Sequence, residues 1–134
     1  MRVCRRETFN AAHRLHNPSL TDEKNIEIFD KCNNSNYHGH NYVLETFVDG
    51  PIDSVSGYVI DLKILSDIIN DEVLEAFDHR NLNLDCPEFK NLNPTAENIA
   101  IVIWNKLRLR LDPKFDIEIR LWETDRNSVI YAGK

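Results

Sequence analysis

The sequence has few cysteines, an excess of acidic over basic residues, and no long apolar run. Its 134 residues include three cysteines, Cys4, Cys32 and Cys86, and no Cys-x-x-Cys pair. An odd count without such pairs does not fit a disulfide framework, so we expect a reduced, cytoplasmic setting. Lys and Arg number 16 against 22 Asp and Glu, which gives a formal net charge of -6. This balance argues against a general nucleic-acid-binding protein, because such a protein carries a basic face.

The sequence also lacks the signals of membrane insertion or export. No apolar run approaches the length that crosses a bilayer, so no membrane partner is expected. The charged segment Met1–Arg6 is not followed by an apolar stretch, and we therefore predict no signal peptide. The length fits one domain over residues 1–134.

Hydrophobic periodicity predicts an α+β domain. The predicted elements are, in chain order, strand 3–9, strand 40–49, helix 62–77, helix 94–110, strand 116–123 and strand 128–131. Residues 18–36 form a long polar loop with one helical turn at 23–29. This order favours a four-stranded antiparallel sheet with two helices packed on one face. Such a sheet leaves open edges, which makes association through them plausible.

Two histidines lie at spacing i, i+2 in the segment Cys32–Tyr42. In an extended chain, His38 and His40 project to the same side. His13, which follows two alanines, offers a third imidazole. Three neutral imidazoles suit Zn²⁺ and leave the fourth position open, as in catalytic zinc sites. The alternative is a polar turn into a strand with no metal.

Cys32 lies six residues before His38 in a loop rich in Asn. A cation nearby lowers a thiol pKa and favours a thiolate that acts as a general base. Two other interpretations remain open at this point. Cys32 is either a buried apolar thiol or the fourth ligand of a closed structural zinc site.

Three further polar residues are candidates for function. Asp78 precedes His79, and an aspartate can hold an imidazole in one tautomer. The alternative is that His79 only favours the end of a helix. Glu123 has the parity of the apolar set of strand 116–123, so a carboxylate points toward the covered side and needs a partner. A guanidine-like ligand edge would supply two donors. Otherwise Glu123 is solvated or pairs with an Arg.

Five motifs together resemble those of the 6-pyruvoyl-tetrahydropterin synthase family, nearly from end to end. The family includes a close relative, 6-carboxytetrahydropterin synthase of queuosine biosynthesis. The motifs are Phe9-Asn10-Ala11-Ala12-His13, Cys32-Asn33-Asn34 through His38-Gly39-His40-Asn41-Tyr42, Asp78-His79-Arg80-Asn81-Leu82, Pro94-Thr95-Ala96-Glu97-Asn98 and Trp122-Glu123-Thr124.

The resemblance implies a zinc-dependent lyase that acts on 7,8-dihydroneopterin triphosphate. It assigns the zinc to His13, His38 and His40 and the proton-abstracting base to Cys32. The expected product is 6-pyruvoyl-tetrahydropterin, formed with loss of triphosphate. The alternative outside the enzymes is a non-catalytic, zinc-stabilised pterin-binding module.

The resemblance also assigns roles around the zinc. Asp78 and His79 would form a proton relay with Cys32, Glu123 would anchor the guanidine-like edge of the pterin, and Thr95 would line that pocket. The implied architecture is the tunnelling fold, in which subunits join through sheet edges into a barrel. A trimer, then a homohexamer of two trimers, with active sites between subunits, is expected.

The motifs do not agree on the branch of the family. The Cys-x5-His-Gly-His spacing with Asn33-Asn34 is similar to the pyruvoyl branch, whereas Ala96 after Asn93-Pro94-Thr95 is similar to the carboxy branch. We favour the pyruvoyl branch.

Overall fold

A computed structural model describes residues 1–134 as one five-stranded sheet with helices. The strand order in the sheet is β3-β1-β2-β4-β5. The strands are β1 (Arg2–His13), β2 (His38–Asp49), β3 (Arg80–Asn81), β4 (Asp116–Trp122) and β5 (Ser128–Tyr131). The helices are α1 (Asp22–Phe29), α2 (Leu62–Ile69), α3 (Glu75–Phe77), α4 (Leu82–Asp85) and α5 (Ala96–Arg110).

The prediction of a four-stranded antiparallel sheet is wrong in one respect. A fifth strand, β3, pairs parallel to β1 through Ala11 with Arg80 and Ala12 with Asn81, so the sheet is mixed. The other three pairings are antiparallel. Two residues are too short for an alternating pattern, so no periodicity reveals this strand. Its pairing depends on the tertiary position of the chain after α3.

The core lies between one face of the sheet and the helices. In β2 every second residue from Tyr42 to Val48 is buried, and Leu65 of α2 and Ile103 of α5 are fully buried in the same cluster. Because strand side chains alternate between faces, this covered face also receives His38 and His40, which precede Tyr42 at the same parity. The fold therefore places both histidines at the end of the hydrophobic core.

Several element boundaries differ from the prediction. The strand predicted at 3–9 continues to His13, because β1 pairs with β2 along its whole length. The helix predicted at 62–77 contains a π-helical segment, Asn70–Leu74, between α2 and α3.

The helix predicted from Pro94 begins at Ala96. Its N-cap is Thr95 rather than Asn93, and the Thr95 hydroxyl accepts a hydrogen bond from the backbone N–H of Asn98 at 3.3 Å. The helical turn expected in the long loop is the eight-residue helix α1, and a 3₁₀ segment, Asp30–Asn33, follows it. None of the helices combines the length and apolar character needed to cross a membrane.

Candidate active site

Three histidines meet where β1 ends and β2 begins. The antiparallel register places His13 opposite His38 and the small residue Ala11 opposite His40. The ligand nitrogens of the three imidazoles lie within 4.8 Å of one another. Nε2 of His13 and Nε2 of His38 are 3.0 Å apart. Strand register, rather than loop conformation, brings these ligands together, so the cluster is rigidly supported.

The hydrogen-bonding of the cluster fits a cation. Nδ1 of His13 donates to the carbonyl oxygen of Pro94 at 2.7 Å, which leaves Nε2 with its lone pair facing His38. Nδ1 of His38 and Nε2 of His40 are buried and have no hydrogen-bond partner. Buried polar nitrogens normally have partners, and a cation at the cluster would supply one to Nε2 of His40. A zinc ion at the cluster would accept the lone pairs of the three rings.

Burial favours the neutral form of His13 and His38. It lowers the pKa of His13 to about 4, the Pro94 carbonyl opposes this, and His38 and His40 add to it. Burial and the nearby His40 also lower the pKa of His38, against the opposing charge of Glu123. Neutral imidazole is the form that binds a metal, so neither His13 nor His38 has to lose a proton at neutral pH.

Glu123 is the carboxylate that borders the cluster. It follows the last residue of β4, and its backbone N–H donates to the carbonyl oxygen of Asn127 at 3.1 Å. Its two carboxylate oxygens lie 3.9 Å from Nε2 of His13 and 3.9 Å from Nε2 of His40. The alternation of β4 predicts that the Glu123 side chain lies on the covered side of the sheet, together with the apolar residues of the strand. The carboxylate lies nearer to the candidate metal than the sequence indicated.

A cavity of about 440 Å³ begins at Glu123. Thr95 and Glu97, at the start of α5, line its other side. The cavity therefore has two carboxylates, and sequence analysis gave a role to only one. The available signal was the position of Glu97 two residues after Thr95, in the first turn of a helix that begins beside the predicted pocket.

Cys32 is near enough to Glu123 for that carboxylate to act on its pKa, and its sulfur is not among the ligand atoms that converge in the histidine cluster. Its carbonyl oxygen accepts a hydrogen bond from the backbone N–H of Leu15 at 2.9 Å, and the next residue, Asn33, donates from its side chain to the Leu15 carbonyl at 2.8 Å. This pairing fixes the loop against the end of β1. Burial raises the pKa of the Cys32 thiol, and the charges of Glu123 and Asp30 add to it.

Asp78 and His79 contact each other, although neighbours in sequence usually point apart. Oδ1 of Asp78 lies 3.0 Å from Nδ1 of His79 and also accepts the backbone N–H of Asn10 at 2.8 Å. The Asn10 bond is the largest cause that lowers the pKa of Asp78. His79 has a left-handed backbone, with φ of 59°, and a side chain that is 82% exposed. Within one chain, no hydrogen bond joins His79 to Cys32.

The sequence profile of the 6-pyruvoyl tetrahydropterin synthase family matches residues 2–134. The chain belongs to this family. A 6-pyruvoyl tetrahydrobiopterin synthase of Drosophila melanogaster is 45% identical over 132 residues, which cover 98% of this chain and 79% of that protein. The Homo sapiens protein of the same name is 40% identical, covering 98% of this chain and 91% of its own. A solved 6-pyruvoyl tetrahydropterin synthase of Caenorhabditis elegans is 40% identical, with a TM-score of 0.94 over 100% of this chain and 96% of that one.

Membership in the 6-pyruvoyl tetrahydropterin synthase family was identified correctly from the motifs. Sequence analysis missed the residues that support the candidate metal ligands. Tyr42 is fully buried, its hydroxyl lies 3.5 Å from Nδ1 of His13, and burial raises its pKa. Pro94 contributes through its carbonyl oxygen, which any residue possesses, so no residue-type signal could identify it.

Proposed function

We propose that this protein is a zinc-dependent 6-pyruvoyl-tetrahydropterin synthase, a cytoplasmic lyase. It would convert 7,8-dihydroneopterin triphosphate into 6-pyruvoyl-tetrahydropterin with loss of triphosphate. One observation carries the proposal: three imidazoles converge beside Glu123, whose carboxylate lines a cavity with a second carboxylate and acts on the pKa of the Cys32 thiol. Kinship of 40–45% identity over nearly the whole chain with proteins named for this activity supports it.

His13, His38 and His40 would hold the zinc. When bound, the ion supplies a Lewis acid that polarises the oxygens of the substrate's side chain. The protein's own contribution is to orient the rings, and the bond from His13 to the Pro94 carbonyl does so directly. Cys32 is not among the converging ligands, so it would not occupy the fourth position of a zinc ion held by the three histidines.

Cys32 would act as the base that removes a carbon-bound proton. The backbone of Cys32 is held against the end of β1 by the hydrogen bond that its carbonyl oxygen accepts from Leu15. Burial and the charge of Glu123 hold the thiol protonated in the chain itself, so activation has to come from a positive charge near the sulfur. A cation at the histidines has the sign that this requires.

Asp78 and His79 would return the proton. The pair is ordered by Asn10, yet His79 faces solvent in the single chain. We therefore propose that the pair of one subunit faces Cys32 of the next in a trimer, and that two trimers form a hexamer. The outer edges of β3 and β5 are unpaired, which leaves strand edges free for this association. A hexameric mass in light scattering is the expected result.

Glu123 and Thr95 would bind the pterin. A carboxylate accepts two hydrogen bonds from a guanidine-like edge, and Glu123 is placed between the cluster and the cavity. Glu97 lines the same cavity and offers a second carboxylate for this edge. Substituting each glutamate in turn distinguishes which of the two binds the pterin.

A second candidate is 6-carboxytetrahydropterin synthase, which uses the same substrate. Ala96 after Thr95 favours it, whereas the spacing of Cys32 and His38 favours the pyruvoyl branch. A non-catalytic pterin-binding module is the candidate from another class. Release of triphosphate from the substrate by the zinc-loaded protein, and its loss in Cys32→Ala, tests catalysis. If the wild-type protein released no triphosphate, both enzyme hypotheses would fail and the non-catalytic pterin-binding module would remain.

A further inference from the structure

A cavity of about 530 Å³ adjoins the histidine cluster on a side that the proposed chemistry does not use. Three of its lining residues are neighbours of the cluster. Arg14 follows His13, Tyr37 precedes His38, and Pro94 accepts the hydrogen bond of His13. The volume lies within the range of ordinary small-molecule sites.

The charge of this cavity is opposite to that of the whole protein. Arg14, His16 and Lys90 line it, and no Asp or Glu does, although the chain carries a net charge of -6. Neither Arg14 nor Lys90 has a carboxylate within 4.0 Å. Cationic side chains that line one concave surface and have no carboxylate partner focus a positive potential there and attract anions.

The two half-buried basic residues are held in place by a hydrogen-bond network. The Asn83 amide binds both backbone groups of Arg14, accepting from its N–H at 2.8 Å and donating to its carbonyl at 2.9 Å. Nε of Arg14 donates to the carbonyl oxygen of Asn33 at 2.9 Å, and no other side-chain nitrogen of Arg14 has a partner. The terminal guanidinium nitrogens therefore remain free for a ligand.

The tautomer of His16 follows from its neighbour. Nδ2 of Asn33 donates to the Leu15 carbonyl at 2.8 Å, which fixes the orientation of that amide. The same Nδ2 lies 2.9 Å from Nδ1 of His16, so Nδ1 is the acceptor and Nε2 carries the hydrogen. His16 thus offers a donor whose ring position is fixed. Preorganised donors of this kind cost little ordering entropy when an anion binds.

A neighbouring cavity provides the contrast. Arg14 also borders a cavity of about 610 Å³ whose other charged residues are Lys31, Asp22 and Asp30. There two basic residues face two acidic ones, so that cavity does not select an anion. Lys31 is exposed like Lys90 and lies next to Cys32, which makes it a matched control for charge near the site.

We propose that the cavity lined by Arg14, His16 and Lys90 binds a polyphosphate chain, namely the triphosphate of the substrate. That the ligand is the substrate's triphosphate rests on the proposed function. That the ligand is a polyphosphate rests only on the residues that line the cavity. A short side chain that reaches the histidine cluster from the pterin cavity would carry its triphosphate to the neighbours of His13 and His38. Charge-assisted hydrogen bonds from the three basic groups would hold it.

The test uses zinc-loaded, full-length protein and inorganic tripolyphosphate, supplied as its magnesium complex so that it does not remove zinc. Calorimetry should show one site in the wild-type protein. Lys90→Met should weaken binding by about tenfold, because a charged hydrogen bond is lost. Lys31→Met should stay within about twofold of the wild type. No binding by the wild-type protein, or equal losses in the two variants, would overturn the proposal.

Two further arms identify the source of the polyphosphate. Lys90→Met should raise KM for dihydroneopterin triphosphate by about tenfold and leave the affinity for neopterin, which has no phosphate, unchanged. Tripolyphosphate should compete with the substrate. Non-competitive inhibition with an unchanged KM would overturn the assignment to the substrate. If tripolyphosphate binds and depends on Lys90 while no substrate turns over, the proposed function fails and the polyphosphate site stands.

Discussion

The imidazole of His13 donates from Nδ1 to the carbonyl oxygen of Pro94 at 2.7 Å. This bond joins the end of β1 to the segment that leads into α5, which also lines the proposed pterin cavity. It fixes the tautomer, so the Nε2 lone pair faces His38. The orientation of the His13 ring and the position of the segment before α5 are therefore coupled through one hydrogen bond.

Replacement of a cluster histidine should remove the metal. His38→Ala leaves two imidazoles, and two ligands bind zinc far more weakly than three. Zinc content by mass spectrometry should fall from about one ion per chain to under a tenth. His79→Ala is the control, because that side chain is exposed and lies outside the cluster. Equal zinc content in wild type and His38→Ala would contradict the assignment.

Substitution of Cys32 separates a base from a ligand. Its sulfur is not among the atoms that converge on the metal position, so Cys32→Ala should keep its zinc and its thermal stability. Triphosphate release should drop by about a hundredfold or more, because a general base is lost. Loss of zinc together with stability would instead identify a closed structural site.

Paired substitutions should assign the pterin anchor. Glu123→Gln keeps the shape and removes the charge that faces the donors of the pterin, so affinity for neopterin should fall about tenfold or more. Glu97→Gln makes the same change on the other side of the cavity and serves as its comparison. If only Glu97→Gln lowered the affinity for neopterin, Glu97 of α5 would be the pterin-binding carboxylate, and Glu123 would have a role only at the histidine cluster.

Acid should destabilise the zinc-free protein through His13. Its pKa is about 4 in the folded chain against an ordinary 6.5, so between these values the unfolded chain binds a proton that the folded chain does not. The free energy of unfolding should therefore fall as pH drops through that window, by up to about 1.4 kcal/mol per pH unit from this group. Urea unfolding of wild type and His13→Asn checks this. Parallel pH profiles for the two proteins would show that His13 makes no such contribution.

The meeting of the three histidines was predictable in part because it follows from strand geometry. The parity of His38 and His40 places both on one face, and the alternation of residues 40–49 identified β2. That His13 faces His38 requires the register of β1 against β2. Periodicity ended β1 too early, because two alanines interrupt its alternation. The grouping of His13 with His38 and His40 was therefore assigned from the motifs of the family.

Other features depend on tertiary contacts that leave no pattern in the sequence. β3 exists because the chain after α3 meets Asn10 and continues beside β1. The pairing of Asp78 with His79 needs the left-handed backbone at His79, which local propensity disfavours. The basic cavity combines Arg14 and His16 with Lys90 from a distant loop. No local spacing predicts that meeting.

The central claim is tested most directly by identifying the pterin product. Zinc-loaded protein is incubated with 7,8-dihydroneopterin triphosphate, and both triphosphate and pterins are measured by chromatography with mass spectrometry. The proposed function predicts one equivalent of triphosphate for each 6-pyruvoyl-tetrahydropterin, with neither formed by Cys32→Ala. A product with a shortened side chain, 6-carboxytetrahydropterin, or no release of triphosphate at all, would contradict it.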